Sequence, residues 1–123
     1  KKPIYKIYGN SYATKDGSCI RDFIHVVDVA EIHIKVLTKI DKINKSNILN
    51  CGYGKGNSVL QVAKEFVKFS NSNSRIINTS KRSGDLIKII AVPKKLNKFI
   101  KWKPKFNNLR KMVASSIKWE KKL

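Results

Sequence analysis

The chain has few cysteines, histidines and acidic residues, and each scarcity excludes a class of site. Its 123 residues include 2 cysteines, 2 histidines and 8 acidic residues. Cys19 and Cys51 lack the spacing of a zinc site and are too few for a disulfide framework, so we expect reduced thiols. His25 and His33 have no second ligand at helical spacing. We therefore interpret both histidines as structural, with His33 on a buried helical stripe, and expect no metal.

Long apolar stretches are also missing from the sequence. No apolar run approaches the roughly 20 residues that a membrane-spanning helix needs. The opening residues, KKPIYKIYGNSY, lack the apolar core of a signal peptide. We therefore expect a cytoplasmic protein without a membrane segment. Hydrophobic residues make up 41% of the chain, enough for the core of one domain over residues 1–123.

The scarcity of acids leaves a net charge of +19, from 27 basic and 8 acidic residues. Clustered cations are typical of nucleic-acid-binding modules, because they release counterions from phosphates. The alternative is a genome rich in A and T, whose codons favour Lys, Asn and Ile. The abundance of Ile, which has no use on a phosphate-binding surface, favours this second interpretation. Nucleic-acid binding stays as an alternative, and a surface of this charge attracts anions in general.

Apolar periodicity predicts strands that alternate with helices, which is typical of an α/β fold with a parallel sheet. Helix starts are indicated by Asp28 with Glu31 and by Ser58 with Gln61, both in capping-box spacing. Pro93 suits the first turn of a third helix. A last amphipathic helix is predicted over 108–122. The predicted strands are 3–8, 19–26, 46–52 and 75–79. So few strands suggest the C-terminal piece of a longer α/β protein.

Three glycines in CGYGKGN, residues 51–57, lie between a predicted strand and a predicted helix. Dinucleotide-binding loops occupy this setting, where backbone N–H groups meet a pyrophosphate. Here Gly52, Gly54 and Gly56 stand at every second residue, which is the wrong spacing. No acidic residue ends the next strand, where a ribose partner is expected. We interpret these glycines as a tight turn.

Arginine is rare in this chain, with 4 against 23 lysines. A guanidinium holds phosphate oxygens in bidentate fashion, whereas lysine offers a point charge. Arg21 lies among apolar residues, and Arg82 lies in KRSGDL, where Gly84 permits a turn and Asp85 can accept from sugar hydroxyls. Two such arginines on separate loops could clamp a diphosphate with its ribose. Surface salt bridges are the alternative.

The segment YGNSYATKDGSCIRDFIHVVDVAEIH, residues 8–33, resembles G-x-D-Y-x-T-x-D-G-T-x-x-R-D-Y-I-H-V-x-D-L-A-x-A-H of the UDP-glucose 4-epimerases, members of the extended short-chain dehydrogenase/reductase family. Residues 47–66 resemble the family's N-L-G-x-G-x-G-x-S-V-L-E-V. KRSGDL resembles R-R-x-G-D, and FIKWKPKFNNL, residues 99–109, resembles L-G-W-x-P-x-x-x-L. The resemblance covers essentially the whole chain. It implies the C-terminal, UDP-sugar-binding part of a Rossmann-type enzyme.

The resemblance also implies roles for six residues in substrate binding. Arg21 and Arg82 match arginines that contact the diphosphate, and Asp85 matches the acid that holds the uridine ribose. Three further residues match positions near the nucleotide: Tyr8 near the uracil, Val59 as an apolar contact, and Tyr12 in a less defined role.

Departures from the family pattern concern the substrate. Phe23 stands where the family usually has tyrosine, Ala13 replaces a proline, and Ile89 lies where a tyrosine can sit near the substrate. UDP-glucuronate and UDP-N-acetylhexosamine 4-epimerases therefore remain alternatives.

The family's reaction requires residues that this sequence lacks. A tyrosinate and bound NAD oxidise the sugar at C4, the 4-keto sugar rotates, and hydride returns to the other face. No tyrosine here forms the family's Y-x-x-x-K pair, and the NAD-binding G-x-x-G-x-x-G loop is missing. We therefore expect no catalytic or NAD-binding residue in this chain, and no activity from it alone. The resemblance implies that the full-length enzyme uses NAD and forms a homodimer, as is common in the resembled family.

Overall fold

The computed structural model describes residues 4–42, 45–70 and 73–122. Both strands and helices occur along these residues, as the sequence predicts, but they do not alternate strictly, because two pairs of strands and one pair of helices are consecutive. The strands are β1 (Ile4–Tyr8), β2 (Ile20–Arg21), β3 (Asn57–Ser58), β4 (Arg75–Thr79) and β5 (Lys88–Ile89). The helices are α1 (Val26–Leu37), α2 (Val59–Ser70), α3 (Lys94–Ile100) and α4 (Leu109–Glu120), with a short 3-10 turn at Ile40–Lys42.

The strands form two small sheets. β1 and β4 are parallel, with Ile4 opposite Arg75 and Tyr8 opposite Thr79. In the other sheet β2 is central, antiparallel to β3 and parallel to β5. α2 packs against β1, β4 and α4. The parallel pairings confirm the predicted α/β class, because parallel strands need long connections that return the chain.

The main core lies where α1 meets α3 and the loop after it. Its buried members are Ile32, Leu96, Ile100 and Trp102. Met112 and Val113 of α4 are also buried. Burial of a large apolar side chain contributes about 1.5–3 kcal/mol, so these residues dominate the local stability. Among the described residues, no helix has the length and apolar character needed to cross a membrane.

Two of the predicted helix starts are confirmed and one is wrong. The Ser58 Oγ accepts from the Gln61 N–H at 3.0 Å, as the capping pattern predicts. Pro93 directly precedes α3. The first helix, however, begins at Val26, and its cap is His25, whose Nδ1 accepts from the Val27 N–H. Asp28 therefore lies inside the first turn of α1 and is fully buried.

The predicted strands at 19–26 and 46–52 are largely wrong. The former contains the two strand residues of β2 before the chain turns into α1. The latter contains no strand, and Ile48 within it is 86% exposed. A strand requires a hydrogen-bonded neighbour as well as an apolar pattern, and residues 46–52 have no such neighbour among the described residues.

The prediction of a buried His33 is also wrong. Its side chain is exposed, and its Nδ1 donates to the Val29 carbonyl at 2.8 Å, one turn earlier in α1. Ile32 beside it is buried. The buried stripe of α1 therefore runs through Asp28 and Ile32, four residues apart, and His33 lies at its edge.

Candidate functional site

The carboxylate of Asp85 lies between two arginines from separate parts of the chain. Arg82 donates to it through Nε at 3.0 Å and through Nη2 at 3.4 Å. Arg21 of β2 places its Nη2 at 3.9 Å from the same carboxylate. The structure thus brings together three of the residues that the sequence singled out, although 64 positions separate Arg21 from Asp85.

The Arg21 side chain is held by backbone as well as by charge. Its Nη1 donates to the carbonyls of Ile20 and Leu86, each at 2.8 Å. Its side chain remains 25% exposed. Two of the five N–H donors of the guanidinium are occupied by these carbonyls, so others remain for an anion. Arg21 is therefore a fixed, partly exposed cation.

The Arg82 side chain is more exposed and lies against an aromatic ring. Its guanidinium carbon is 4.5 Å from the centre of the Tyr8 ring, a cation–π geometry. Its hydrogen bond and attraction to Asp85 raise the pKa of Arg82. Gly84, with φ of 81°, makes the turn that brings Asp85 back toward Arg82. Tyr8, Arg82 and Asp85 thus form one continuous surface.

Tyr12 borders this surface on its inner side. Lys81 lies over the Tyr12 ring at 4.6 Å and donates to the Ser11 carbonyl. Burial and the neighbouring Cys19 and Asp85 raise the pKa of Tyr12. Its buried hydroxyl has no hydrogen-bond partner among the described residues. Tyr12 is therefore neutral at physiological pH and can donate a hydrogen bond.

Val59, the last predicted site residue, lies at the start of α2. Its backbone N–H donates to the Cys19 carbonyl at 2.9 Å. Cys19 directly precedes β2, so Val59 is tied to the segment that carries Arg21. Its side chain is half-buried. The structure thus links Val59 to the site through its backbone, and the contact of its side chain with the nucleotide stays a prediction.

Positive charge exceeds negative charge in this group of residues. Arg21, Arg82 and Lys81 contribute three cations, and Asp85 and Asp22 contribute two carboxylates. Beside Arg21 lies an open cleft of about 390 Å³. It is lined by Arg21, Asp22, Asn50, Cys51, Ile89, Ile90 and Ala91. This arrangement can bind an anion with several oxygens, because guanidinium groups form paired charge-assisted hydrogen bonds.

Two backbone N–H groups of the glycine-rich turn are occupied by a side chain of the protein itself. Tyr53 and Gly54 donate their backbone N–H groups to the carboxylate of Asp22, at 3.1 and 2.8 Å. A Cβ on Gly52 would lie 2.7 Å from an Asp22 oxygen and 2.4 Å from the Ala91 Cβ. The interpretation of a tight turn is confirmed. These two N–H groups are therefore not free to bind a pyrophosphate, and the absence of an NAD-binding residue from this chain stays a prediction.

A buried network around Asp28 was missed by the sequence analysis. The Asp28 carboxylate accepts from the Tyr53 hydroxyl at 2.5 Å and from the backbone N–H groups of Lys105 and Phe106. Burial raises the pKa of Asp28, but these hydrogen bonds outweigh burial and the pKa is lowered. Burial and the bond to Asp28 raise the pKa of Tyr53. The sequence signal that could have revealed this network is the position of Asp28, an acidic residue four positions before Ile32 on the buried stripe of α1.

His25 joins this network as a structural residue, as predicted. Its Nδ1 accepts from Val27, so the proton lies on Nε2, which donates to the Ser115 Oγ at 2.8 Å. The Ser115 hydroxyl donates in turn to the Met112 carbonyl. The His25 ring stacks on Phe106 with centroids 4.2 Å apart. This tautomer cannot accept a proton from Ser115, so the pair is not a nucleophile with its base.

Neither cysteine is paired: Cys19 is buried and Cys51 is exposed, and both are free. In the described ranges, no three His, Cys, Asp or Glu side chains form a group suited to a metal ion. The anion-binding surface around Asp85 is therefore the candidate functional site.

Comparisons with known proteins show what this chain is similar to. A profile of the NAD dependent epimerase/dehydratase family matches residues 4–52. A UDP-glucose 4-epimerase of Azospirillum brasilense is 34% identical over 123 residues, covering 100% of this chain and 35% of the relative. The chain thus spans about a third of the length of such relatives.

Solved structures give the same result. The UDP-Glc/GlcNAc 4-epimerase of Campylobacter jejuni superimposes with a TM-score of 0.87 at 37% identity, covering 100% of this chain and 37% of that chain. The UDP-glucose 4-epimerase of Bifidobacterium longum, solved with NAD+ and UDP, has a TM-score of 0.81 at 36% identity, with coverages of 95% and 34%. The chain is therefore similar to UDP-glucose 4-epimerases over essentially its whole length, and its fold is the corresponding part of their Rossmann-type α/β fold.

Proposed function

We propose that this chain is the UDP-sugar-binding part of an NAD-dependent UDP-glucose 4-epimerase, which interconverts UDP-glucose and UDP-galactose. The observation that carries the proposal is the convergence of Arg21 and Arg82 on Asp85. Two guanidinium groups beside one carboxylate match a ligand that combines a diphosphate with a ribose. The relatedness to UDP-glucose 4-epimerases supports the same function.

In the bound state, the two arginines hold the diphosphate oxygens. Asp85 accepts from the ribose hydroxyls through lone pairs that Arg82 does not occupy, since each carboxylate oxygen has more than one. Tyr8 is exposed beside Arg82 and offers its ring to the uracil. Tyr12 and Val59 complete the inner wall. The UDP group does not itself react, but its binding energy positions the sugar that does.

The reaction itself belongs to other parts of the full-length protein. The chain's tyrosines form no Y-x-x-x-K pair, and two N–H groups of its glycine turn already donate to Asp22. We propose that NAD and the catalytic tyrosine are supplied outside this chain. We propose a cytoplasmic location and a homodimer for the full-length enzyme.

Epimerisation of UDP-N-acetylglucosamine is the second candidate activity. Ile89 lines the cleft beside Arg21 and stands where the resembled family can have a tyrosine. A smaller side chain at this place leaves more room for an N-acetyl group on the sugar. The Campylobacter jejuni relative, named for both UDP-Glc and GlcNAc, supports testing this substrate as well.

The test is a calorimetric titration of the full-length protein with UDP, UMP and uridine. We expect UDP to bind best and uridine worst, because uridine lacks the phosphates that the arginines hold. Assays with UDP-galactose and UDP-N-acetylglucosamine then decide the sugar, and the isolated chain should convert neither. Equal affinity for UDP and uridine would contradict the proposal. Tight binding of a DNA duplex, with a steep salt dependence and no competition by UDP, would favour a nucleic-acid-binding module instead.

A further inference from the structure

Asp22, next to Arg21, uses its carboxylate to join two segments that are distant in sequence. It accepts from the backbone N–H groups of Tyr53 at 3.1 Å, Gly54 at 2.8 Å and Ala91 at 3.3 Å. The first two belong to the glycine-rich turn, and the third follows β5. Three converging N–H groups form a concave cradle of the kind that binds anions, and here the anion is a side chain.

These hydrogen bonds continue a sheet that is otherwise very short. β2 pairs with two residues of β3 and two residues of β5. The backbone N–H of Asp22 adds one more bond, to the Ile89 carbonyl at 3.1 Å. Beyond this point, hydrogen bonds to the Asp22 carboxylate take the place of the backbone pairing on both sides of β2. They reach the turn before β3 on one side and Ala91, after β5, on the other. Gly52 makes room for it, since a Cβ there would collide with the carboxylate.

The position of Arg21 depends on the segment that Asp22 holds. The Arg21 guanidinium donates to the Leu86 carbonyl and faces Asp85, both in the loop that leads into β5. If β5 shifted relative to β2, the Arg21 side chain would lose this carbonyl and its alignment with Arg82. Charge-assisted hydrogen bonds that the Asp22 carboxylate accepts from Ala91 and from the glycine turn oppose such a shift.

We propose that Asp22 is a positioning residue for UDP binding, which fixes the walls of the cleft beside Arg21 without touching the nucleotide. This inference rests on the proposed function. It assigns to Asp22 the role of an internal anion whose removal opens a cradle of three N–H donors. A small carboxylate from solution can then take the place of the missing side chain.

The test is chemical rescue of Asp22→Ala in the full-length protein. Removal of the carboxylate leaves space for formate beside the alanine methyl group. We expect the variant to bind UDP about tenfold more weakly, because a misplaced guanidinium loses a charge-assisted hydrogen bond. Formate should restore part of the affinity, whereas chloride at equal ionic strength should not. Asp41→Ala, which removes an exposed acid, is the matched control and should bind UDP like the wild type.

Amide hydrogen exchange gives a readout that does not depend on UDP. In Asp22→Ala, the amides of Gly54 and Ala91 should exchange faster, and formate should slow them again. If Asp22→Ala does not fold, Asp22→Asn serves instead, since its one carbonyl oxygen can satisfy part of the cradle. Unchanged UDP affinity in a folded variant, or rescue by chloride as strong as by formate, would overturn the inference. A wild-type protein that does not bind UDP would contradict the proposed function, while exchange at these amides would still test the cradle.

Discussion

Asp28 and Asp85 each lie at the centre of a hydrogen-bonded group, but their partners differ in kind. Asp28 is fully buried, and its partners are a neutral phenol and two backbone N–H groups. Asp85 is partly exposed, and its partners are two charged side chains. Backbone donors cannot leave their positions, whereas a surface arginine can exchange its carboxylate for another anion. The comparison teaches that the first group fixes the fold and the second is free to bind a ligand.

The largest expected difference is in stability. Asp28→Ala leaves the Tyr53 hydroxyl and the N–H groups of Lys105 and Phe106 without their acceptor. We expect a loss of about 3 kcal/mol in the free energy of unfolding. Asp85→Ala should cost about 1 kcal/mol or less, because it breaks surface ion pairs. Urea unfolding of both variants measures the two losses of unfolding free energy. Equal losses would contradict the distinction between Asp28 and Asp85.

The next effect is on UDP affinity. Arg82→Ala removes a bidentate donor. Arg21→Lys keeps the charge but loses the paired N–H donors of the guanidinium. Each should weaken UDP binding about tenfold to a hundredfold. Lys45→Ala removes a cation from an exposed residue and should bind like the wild type. Calorimetry decides, and an unchanged affinity for Arg21→Lys would mean that charge alone binds the diphosphate.

A smaller effect is expected in the pH dependence of stability. The pKa of Asp28 is lowered in the folded protein. The ionised carboxylate therefore stabilises the fold fully above the unfolded pKa of about 3.9, and this contribution is lost as the pH falls through the folded pKa. The stability gap between the wild type and Asp28→Asn should thus shrink below about pH 4. Thermal unfolding between about pH 6 and pH 2 measures this, and a constant gap would contradict it.

The smallest expected effect concerns Tyr8. Tyr8→Leu keeps an apolar side chain but removes the ring beneath Arg82. A cation–π contact at an exposed site contributes about 0.5–1 kcal/mol, so UDP affinity should fall about two- to fivefold. The stability of the fold should not change. A loss as large as that of Arg82→Ala would show that contact of the ring with the uracil contributes more than its support of the arginine.

Local sequence patterns predicted the elements that depend on local interactions. The starts of α2 and α3 are confirmed because Ser58 and Pro93 act on their own helix. The prediction of a strand at 46–52 is wrong because an apolar run does not reveal whether a neighbouring strand exists. Asp28 was interpreted as a cap because Glu31 completes a capping pattern. Its actual partners, Tyr53 and the residues at 105–106, are distant in sequence.

The candidate site was predicted by different signals. The rarity of arginine drew attention to Arg21 and Arg82, and the family resemblance suggested that they act together. The two arginines lie close together, on either side of Asp85, only in the folded chain. This is because β2 and β5 must pair before Arg21 reaches Leu86 and Asp85. No sequence signal indicated that Asp22 joins the glycine turn to Ala91. Long-range backbone bonds of this kind leave no periodic pattern.

A crystal structure of the full-length protein with UDP tests the central claim most directly. We predict that guanidinium nitrogens of both Arg21 and Arg82 lie within about 3 Å of diphosphate oxygens, with Asp85 on the ribose hydroxyls. A nucleotide bound elsewhere, with both arginines still on Asp85 and no phosphate near either, would contradict the account.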